Sequence, residues 1–301
     1  MGRVAVAGLW MVAAAMILAG CGKPESQLAA APGKEAPAAD KGGKAVRAGV
    51  INGMKMTGLW DKVTEMFQAE SGYKVETVVA GMRNEVAQAM RDGKLDFATL
   101  PAGDAPMQLV ADGVAVNMTP WTRNEFVIVG PASDPAKIRG MTDGAAALRK
   151  IADTKSKFVD FQSIGTREIT DRLWKKAGVP FQGDWVLKDE TKDAHEVLEF
   201  ARQHDAYVVV GRAPVLFQKL ASEKMEIMVD KDPEMQRAYV ALEANPARFP
   251  DANSTGARAM TQFLVSDKVQ KFLATFGTEK GGEPPFLPVK PVGSPKEASG
   301  R

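Results

Sequence analysis

The sequence predicts an α/β protein built as two interleaved lobes, and three observations predict it. Short apolar, strand-like runs alternate with helix-period stretches over residues 45–288. The alternation is more than one sheet's worth, and no Pro/Gly/Ser-rich linker divides its halves. With 301 residues, the chain is long enough for about two domains of ordinary size. It carries 39 basic and 37 acidic side chains with the signs interspersed, so no nucleic-acid partner is expected. One cysteine and two histidines exclude a disulfide framework, a Cys-rich zinc site and an iron–sulfur cluster. No cofactor and no metal site is expected.

Residues 1–20 read as a targeting segment. Arg3 gives a thin positive start, residues 4–19 are apolar, and Leu18-Ala19-Gly20-Cys21 closes the run with small residues around the sole cysteine. This closing tetrapeptide resembles a bacterial lipobox, which implies cleavage before Cys21, lipidation of Cys21 and a lipid anchor in the membrane. An ordinary cleaved signal peptide and a short membrane anchor are the alternatives, although the apolar run is shorter than the roughly 20 residues a span needs. Residues 21–44 are rich in Pro, Ala, Gly and Lys, with no aromatic or β-branched residue, and read as a flexible tether. Residues 289–301 read as a similar tail.

Within the body, residues 45–51 make the first expected strand. Leu59, Val63, Met66 and Phe67 recur at i, i+4, i+7 and i+8, one face of a helix that stops at Ser71-Gly72. Residues 73–79 are a second strand, after which Asn84 is placed to N-cap a short helix carrying Val86 and Met90. Residues 96–100 are a third strand, 106–112 a short helix ended by Gly113, and 126–130 a buried strand of sequence FVIVG. The pattern then restarts with a helix over 145–152, a strand over 157–161 and a helix over 168–177 closed by Gly178 and Pro180. Asp193 and Glu196 form a capping pair for a helix with Val197, Leu198 and Ala201 inward. A strand over 206–210, a helix begun at Pro214, a strand over 238–242 and two closing helices complete the body. The last carries Val269, Phe272, Leu273 and Phe276 and stops at Gly277.

Certain stretches carry more than periodicity. They are Thr57-Gly58-Leu59-Trp60-Asp61, 67–75 (FQAESGYKV), Gly93-Lys94-Leu95-Asp96, 124–131 (NEFVIVGP) with Asp134-Pro135, and Gly165-Thr166. Further on stand 173–178 (LWKKAG), Gly183-Asp184-Trp185, Asp205-Ala206-Tyr207, Arg212 and Asn245-Pro246. In this order and spacing they resemble the tungstate-type oxyanion receptors among the type II periplasmic binding proteins of ABC importers, over roughly residues 46–288. The resemblance implies the type II periplasmic-binding-protein fold, with lobe 1 made of 45–131 and 238–288 and lobe 2 of 132–237. It implies a monomer that captures a small anion, tungstate- or molybdate-like, in the periplasm or at the cell surface and delivers it to an ABC permease. The same fold could instead bind a small organic carboxylate, or serve as a sensor for a membrane partner.

The chain departs from the family at three turns. The family's Thr/Ser-rich turn after the first strand reads here Val50-Ile51-Asn52-Gly53-Met54, and its Gly-Thr-Gly turn reads Met82-Arg83-Asn84. Its Arg-Gly-Asp-Asp-Ser-Gly-Thr segment reads 160–166, DFQSIGT. Most of the hydroxyls and the arginine of the family pattern are therefore absent.

Four helix starts or turns are expected at the cleft: 52–57, 81–84, 163–166 and 211–214. Each offers unpaired backbone N–H groups and a positive dipole end. Asn52, Gly53, Arg83, Asn84, Ser163, Thr166, Arg167 and Arg212 are the candidate ligand residues from these turns, because a guanidinium fork suits carboxylates and oxyanions. Each arginine has the alternative of a solvated helix end. Met54, Met56, Phe161 and Ile164 are expected to make the pocket wall apolar, pointing to an anion with some organic surface or an oxyanion held chiefly by arginine. Ser163 and Thr166 read as cap or ligand hydroxyls, Thr166 being placed to N-cap its helix. Tyr239 stands where the resembling family has a tyrosine and is a candidate either for the cleft or for strand packing. An enzyme is not expected: His195 and His204 read as surface residues, and no nucleophile-elbow, Walker, dinucleotide or zincin motif occurs.

Overall fold

The computed structural model describes residues 45–189, 194–217, 224–280 and 282–290. Residues 1–44, which hold the expected leader, Cys21 and the expected tether, lie outside the described residues, as do Asp193, the side chain of His195 and residues 291–301.

β1 (Val46–Ile51), β2 (Val75–Gly81) and β3 (Phe97–Pro101) each run into a helix at their carboxyl ends. These are α1 (Asn52–Met56) followed by α2 (Leu59–Ser71), α3 (Arg83–Arg91), and α4 (Asp104–Ala111). β1 lies parallel to both β2 and β3, so three helix starts gather at one edge of the sheet. Gly72 ends α2 in the left-handed region at φ 76°, which a residue with a Cβ adopts only at a cost.

The 17-residue β4 (Ala115–Pro131) crosses between the lobes. Its stretch up to Glu125 pairs antiparallel with β9 (Gln236–Ala244), which in turn pairs with β3. From Phe126 onward it pairs with β7 (Tyr207–Gly211) and β8 (Met225–Val229). The second lobe adds α5 (Gly144–Asp153), β5 (Phe158–Phe161), α6 (Ile164–Ala177), β6 (Val186–Asp189), α7 (Ala194–Gln203) and α8 (Arg212–Phe217). After β9 come α9 (Ser254–Leu264), α10 (Asp267–Leu273) and β10 (Phe286–Pro288), which returns to β4. The strand order is β2-β1-β3-β9-β4-β7-β5-β6, with β8 and β10 also on β4.

Each lobe is a sheet covered on both faces. On one face of lobe 1, Trp60, Phe67, Phe97, Trp121 and Phe263 pack together; Val86, Met90, Leu95, Leu100 and Leu109 cover the other. In lobe 2 the period of two is plain: Ile128, Tyr207 and Val209 enter one core, and Val127, Val129, Val208 and Val210 the opposite one. Gly130 closes the FVIVG run because a Cβ there would lie 2.2 Å from the Tyr207 ring.

Several local expectations are corrected. Asn84 is not the cap of α3: Met82 holds that position, and Glu85 Oε2 accepts the Met82 N–H at 2.6 Å. α6 starts one turn earlier than expected, with Ser163 rather than Thr166 as its N-cap. Met54 and Phe161 are core residues, at 0% and 5% exposure, because they point into the packed faces of β1–α1 and β5. β6, β8 and β10, all five residues or shorter, and the one-turn α1 have no counterpart in the sequence reading.

Candidate functional site

The site assembles where α3 of lobe 1, the start of α6 in lobe 2 and the first residues of β9 meet. Arg83 is the first residue of α3, and its guanidinium crosses to lobe 2. Nη1 donates to Glu168 Oε1 at 2.8 Å and Nη2 to Oε2 at 3.4 Å. Arg237 approaches the same carboxylate from β9, with Nη2 2.8 Å from Glu168 Oε2. Nη2 of Arg237 also donates to the Gly165 carbonyl at 2.7 Å, and its guanidinium lies 5.2 Å from the centre of the Phe126 ring. Two arginines from different segments thus converge on one carboxylate between the lobes.

Tyr239 follows Arg237 by two residues, hence on the same face of β9. It is 92% buried, its ring meets Phe286 edge-on at 6.3 Å, and its hydroxyl has no hydrogen-bond partner among the described residues. Burial pushes the Tyr239 phenol up, against the pull of the Arg237 and Arg83 charges, which places that hydroxyl in the arginines' field. Thr166, buried, and Ser163, half-buried, likewise keep hydroxyls without a partner among the described residues at the start of α6. Arg83 Nη1 also lies 3.9 Å from the point where a Gly103 Cβ would stand, which brings the start of α4 beside the cluster.

The charges are mutually adjusted. Burial pushes the Arg237 guanidinium below its ordinary value; Glu168 opposes that shift and Arg83 adds to it. For Glu168, burial opposes ionisation, but the Arg83 hydrogen bond and the Arg237, Arg83 and Arg172 charges win and hold the carboxyl low. The arginines are the more enclosed partners, at 20% exposure for Arg83 and 8% for Arg237 against 42% for Glu168.

The remaining candidates lie elsewhere. Arg212 is buried at the crossing of the lobes, its Nε on Glu125 Oε2 and its Nη2 on Asp230 Oδ2, each at 2.6 Å. Burial opposes its charge, yet the two carboxylates hold its pKa above the ordinary value. Arg212, expected at the cleft, thus stands in an ion-pair triad in which Glu125 and Asp230 compensate its charge. Arg167 turns to its own lobe, bonding Asp160 at 3.1 Å, Gln162 at 3.2 Å and Asp171 at 3.3 Å. Asn84 lines a surface hollow of about 580 Å³ with Val79, Gln88 and Lys94. Asn52 is exposed and Gly53 half-buried in α1, where the Gly53 carbonyl accepts Thr57 Oγ1 at 2.9 Å. Of the expected apolar wall only Met56 and Ile164 are exposed, at 61% and 69%.

Arg237 and Glu168 are the residues the sequence reading passed over. A signal for Arg237 was present: it precedes Tyr239 at the strand period, so a cleft role for one carries the other. A further hollow of about 660 Å³ lies at the opposite end of lobe 1, lined by Arg47, Asp96, Arg248 and Asp251 among others. Its charges are already paired in part, Arg47 Nη2 standing 2.6 Å from Asp96 Oδ1. Among the described residues no group of three or more His, Cys, Asp or Glu is placed to hold a metal ion, and no helix is long and apolar enough to cross a membrane.

Comparisons with known proteins agree with this architecture. The profile of a family described as bacterial extracellular solute-binding protein matches residues 49–279. A tungstate-binding protein, TupA, of Peptoclostridium acidaminophilum is 29% identical over 235 residues, covering 77% of this chain and 81% of that protein. Among solved structures, the tungstate-binding protein TupA of Desulfovibrio alaskensis G20 superposes with a TM-score of 0.75 at 25% identity, over 82% of this chain and 99% of that one. The tungstate ABC transporter structure from Geobacter sulfurreducens gives a TM-score of 0.65 at 25% identity, over 76% and 97%. The two-lobed α/β arrangement is thus that of the periplasmic binding proteins.

Proposed function

The chain belongs to the bacterial extracellular solute-binding protein family, and on that premise we propose that it is a lipid-anchored receptor that captures a tungstate- or molybdate-like oxyanion for an ABC permease. The observation that carries this reading is the convergence of Arg83 and Arg237 on a single carboxylate between the lobes. Tyr239 shares a strand face with Arg237, and Ser163 and Thr166 lie at the start of α6, the helix that carries Glu168; all three hydroxyls are able to donate. An oxyanion seated there would receive charge-assisted hydrogen bonds from both lobes, and capture would involve no covalent step. Closure would exclude water and strengthen those bonds. Cys21 is proposed as the lipidated residue, with the folded body held outside the cytoplasm as a monomer.

Titration calorimetry and melting of the detergent-solubilised full chain test this with tungstate, molybdate, sulfate and phosphate. Saturable one-to-one binding of tungstate or molybdate is expected, with stabilisation of about 2.7 kcal/mol at a hundredfold excess over the dissociation constant. The absence of any oxyanion response would end the reading. A second reading, a small organic carboxylate, is favoured by the exposed Met56 at the end of α1 and Ile164 at the start of α6; response to carboxylates alone would support it. Delivery to a permease is distinguished from sensing by whether the purified receptor stimulates transport in vesicles holding the permease.

A further inference from the structure

We propose that Glu168 is a tethered competitor for the anion site, occupying with its own carboxylate the place that a captured anion takes between Arg83 and Arg237. This inference rests on the anion-receptor reading above and adds the residue that sets its affinity.

The geometry is that of a bound ligand. Each carboxylate oxygen of Glu168 faces an arginine: Oε1 receives Arg83 Nη1 and Oε2 lies against Arg237 Nη2, both at 2.8 Å. The carboxylate is delivered from the fifth residue of α6, in the opposite lobe from Arg83, so it bridges the lobes as a free anion would. One of the two arginines, Arg237, is fixed without it. Arg237 is held by the Gly165 carbonyl at 2.7 Å and by the Phe126 ring, whereas Glu168 is 42% exposed and has open solvent to swing into. The Arg237 guanidinium therefore keeps its position when the carboxylate leaves.

The leftover donors support the same conclusion. Tyr239, Thr166 and Ser163 keep hydroxyls without partners among the described residues, two of them on side chains more than nine-tenths buried. The Glu168 carboxylate already takes three contacts from the two arginines on its two oxygens, while a tetrahedral anion presents four oxygens. Glu168 thus fills the charge requirement of the site but not its hydrogen-bonding capacity.

A tethered competitor has a quantitative signature. If every anion must first displace Glu168, each apparent dissociation constant is raised by the same factor, the inverse of the fraction of molecules in which Glu168 is away. Ratios between anions are unchanged. The consequence is a threshold: weakly held anions are pushed out of their working range, and a strongly held one still loads.

The test compares the detergent-solubilised full chain with Glu168→Gln and Glu168→Ala by titration calorimetry against tungstate and molybdate, with melting curves to confirm folding. Both variants are expected to bind both anions more tightly, by about tenfold or more, and with the wild-type ratio between them preserved. Weaker binding would mean that Glu168 contacts the ligand, and a gain for only one anion would mean that it selects. Either result overturns the proposal, as do unchanged constants. Binding by wild type with unchanged variants removes only this inference; no response in any of the three proteins removes the anion-receptor reading with it.

Discussion

Arg212 and Glu125 meet at 2.6 Å where β4 passes from the sheet of one lobe to the sheet of the other, and both side chains are under 5% exposed. Glu125 spends its second oxygen on the Lys231 N–H, also at 2.6 Å, and Arg212 spends Nη2 on Asp230. The pair therefore ties β4, the start of α8 and the segment after β8 at the crossing between the lobes. Removing one partner would strand a buried charge, so Arg212→Ala is expected to cost about 3–5 kcal/mol in urea unfolding. A variant as stable as wild type would remove this role.

Arg237 and Arg83 carry the proposed anion site, both contacting Glu168 from different segments. Arg237→Ala and Arg83→Ala are each expected to weaken tungstate binding by at least about tenfold, the scale of losing one charge-assisted hydrogen bond. The Arg237 change is expected to be the larger, since that guanidinium is the more buried. Calorimetry on the two folded variants checks both size and order.

Tyr239 separates packing from recognition. Its ring is packed against Phe286, but its hydroxyl bonds to nothing among the described residues. Tyr239→Phe is therefore expected to leave stability within about 0.5 kcal/mol while weakening anion binding by about 1 kcal/mol, roughly fivefold. A large loss of melting temperature with unchanged affinity would assign the hydroxyl to the fold instead.

The depressed carboxyl of Glu168 gives a pH dependence with a definite sign. Its folded-state pKa is below the ordinary value of 4.5 because Arg83, Arg237 and Arg172 outweigh burial. Its ion pairs then contribute fully above that ordinary value, and the contribution is lost as pH falls through the lowered one. Wild type is expected to lose melting temperature more steeply than Glu168→Gln below about pH 4.5, with parallel curves above it. Equal slopes through the acid range would mean that the pairs add nothing to stability.

Cys21 governs attachment in the proposed function. Cys21→Ser is expected to move the protein from the membrane pellet to the soluble extracytoplasmic fraction. Retention in the pellet would favour an uncleaved anchor.

Much of the fold was legible because burial on both faces of a sheet writes itself into local pattern. Val127, Ile128 and Val129, like Val208, Val209 and Val210, form runs that only a doubly covered strand explains, and Gly72 and Gly178 mark helix ends by the left-handed conformation they adopt. The short strands β6, β8 and β10 were not legible, since each is defined by pairing with a distant segment rather than by its own period.

The candidate site divides along the same line. From the sequence alone it followed that arginines and hydroxyls stand at the turns after the strands, that Tyr239 lies on the return strand, and that the chain has the make-up of a two-lobed binding protein. Only the tertiary structure decided which arginine does what. Arg83 and Arg212 each open a helix and Arg167 stands in the first turn of another, yet Arg212 is held between Glu125 and Asp230, Arg167 turns to Asp160 and Asp171, and Arg83 reaches across to Glu168. The physical reason is that a charged group's role is set by the counter-charges brought within a few ångströms of it. Glu168 stands 85 residues from Arg83 in the chain, and Glu125 stands 87 from Arg212. No local pattern encodes separations of that length; the passage of β4 from one lobe's sheet to the other's, with β9 paired beside it, creates them.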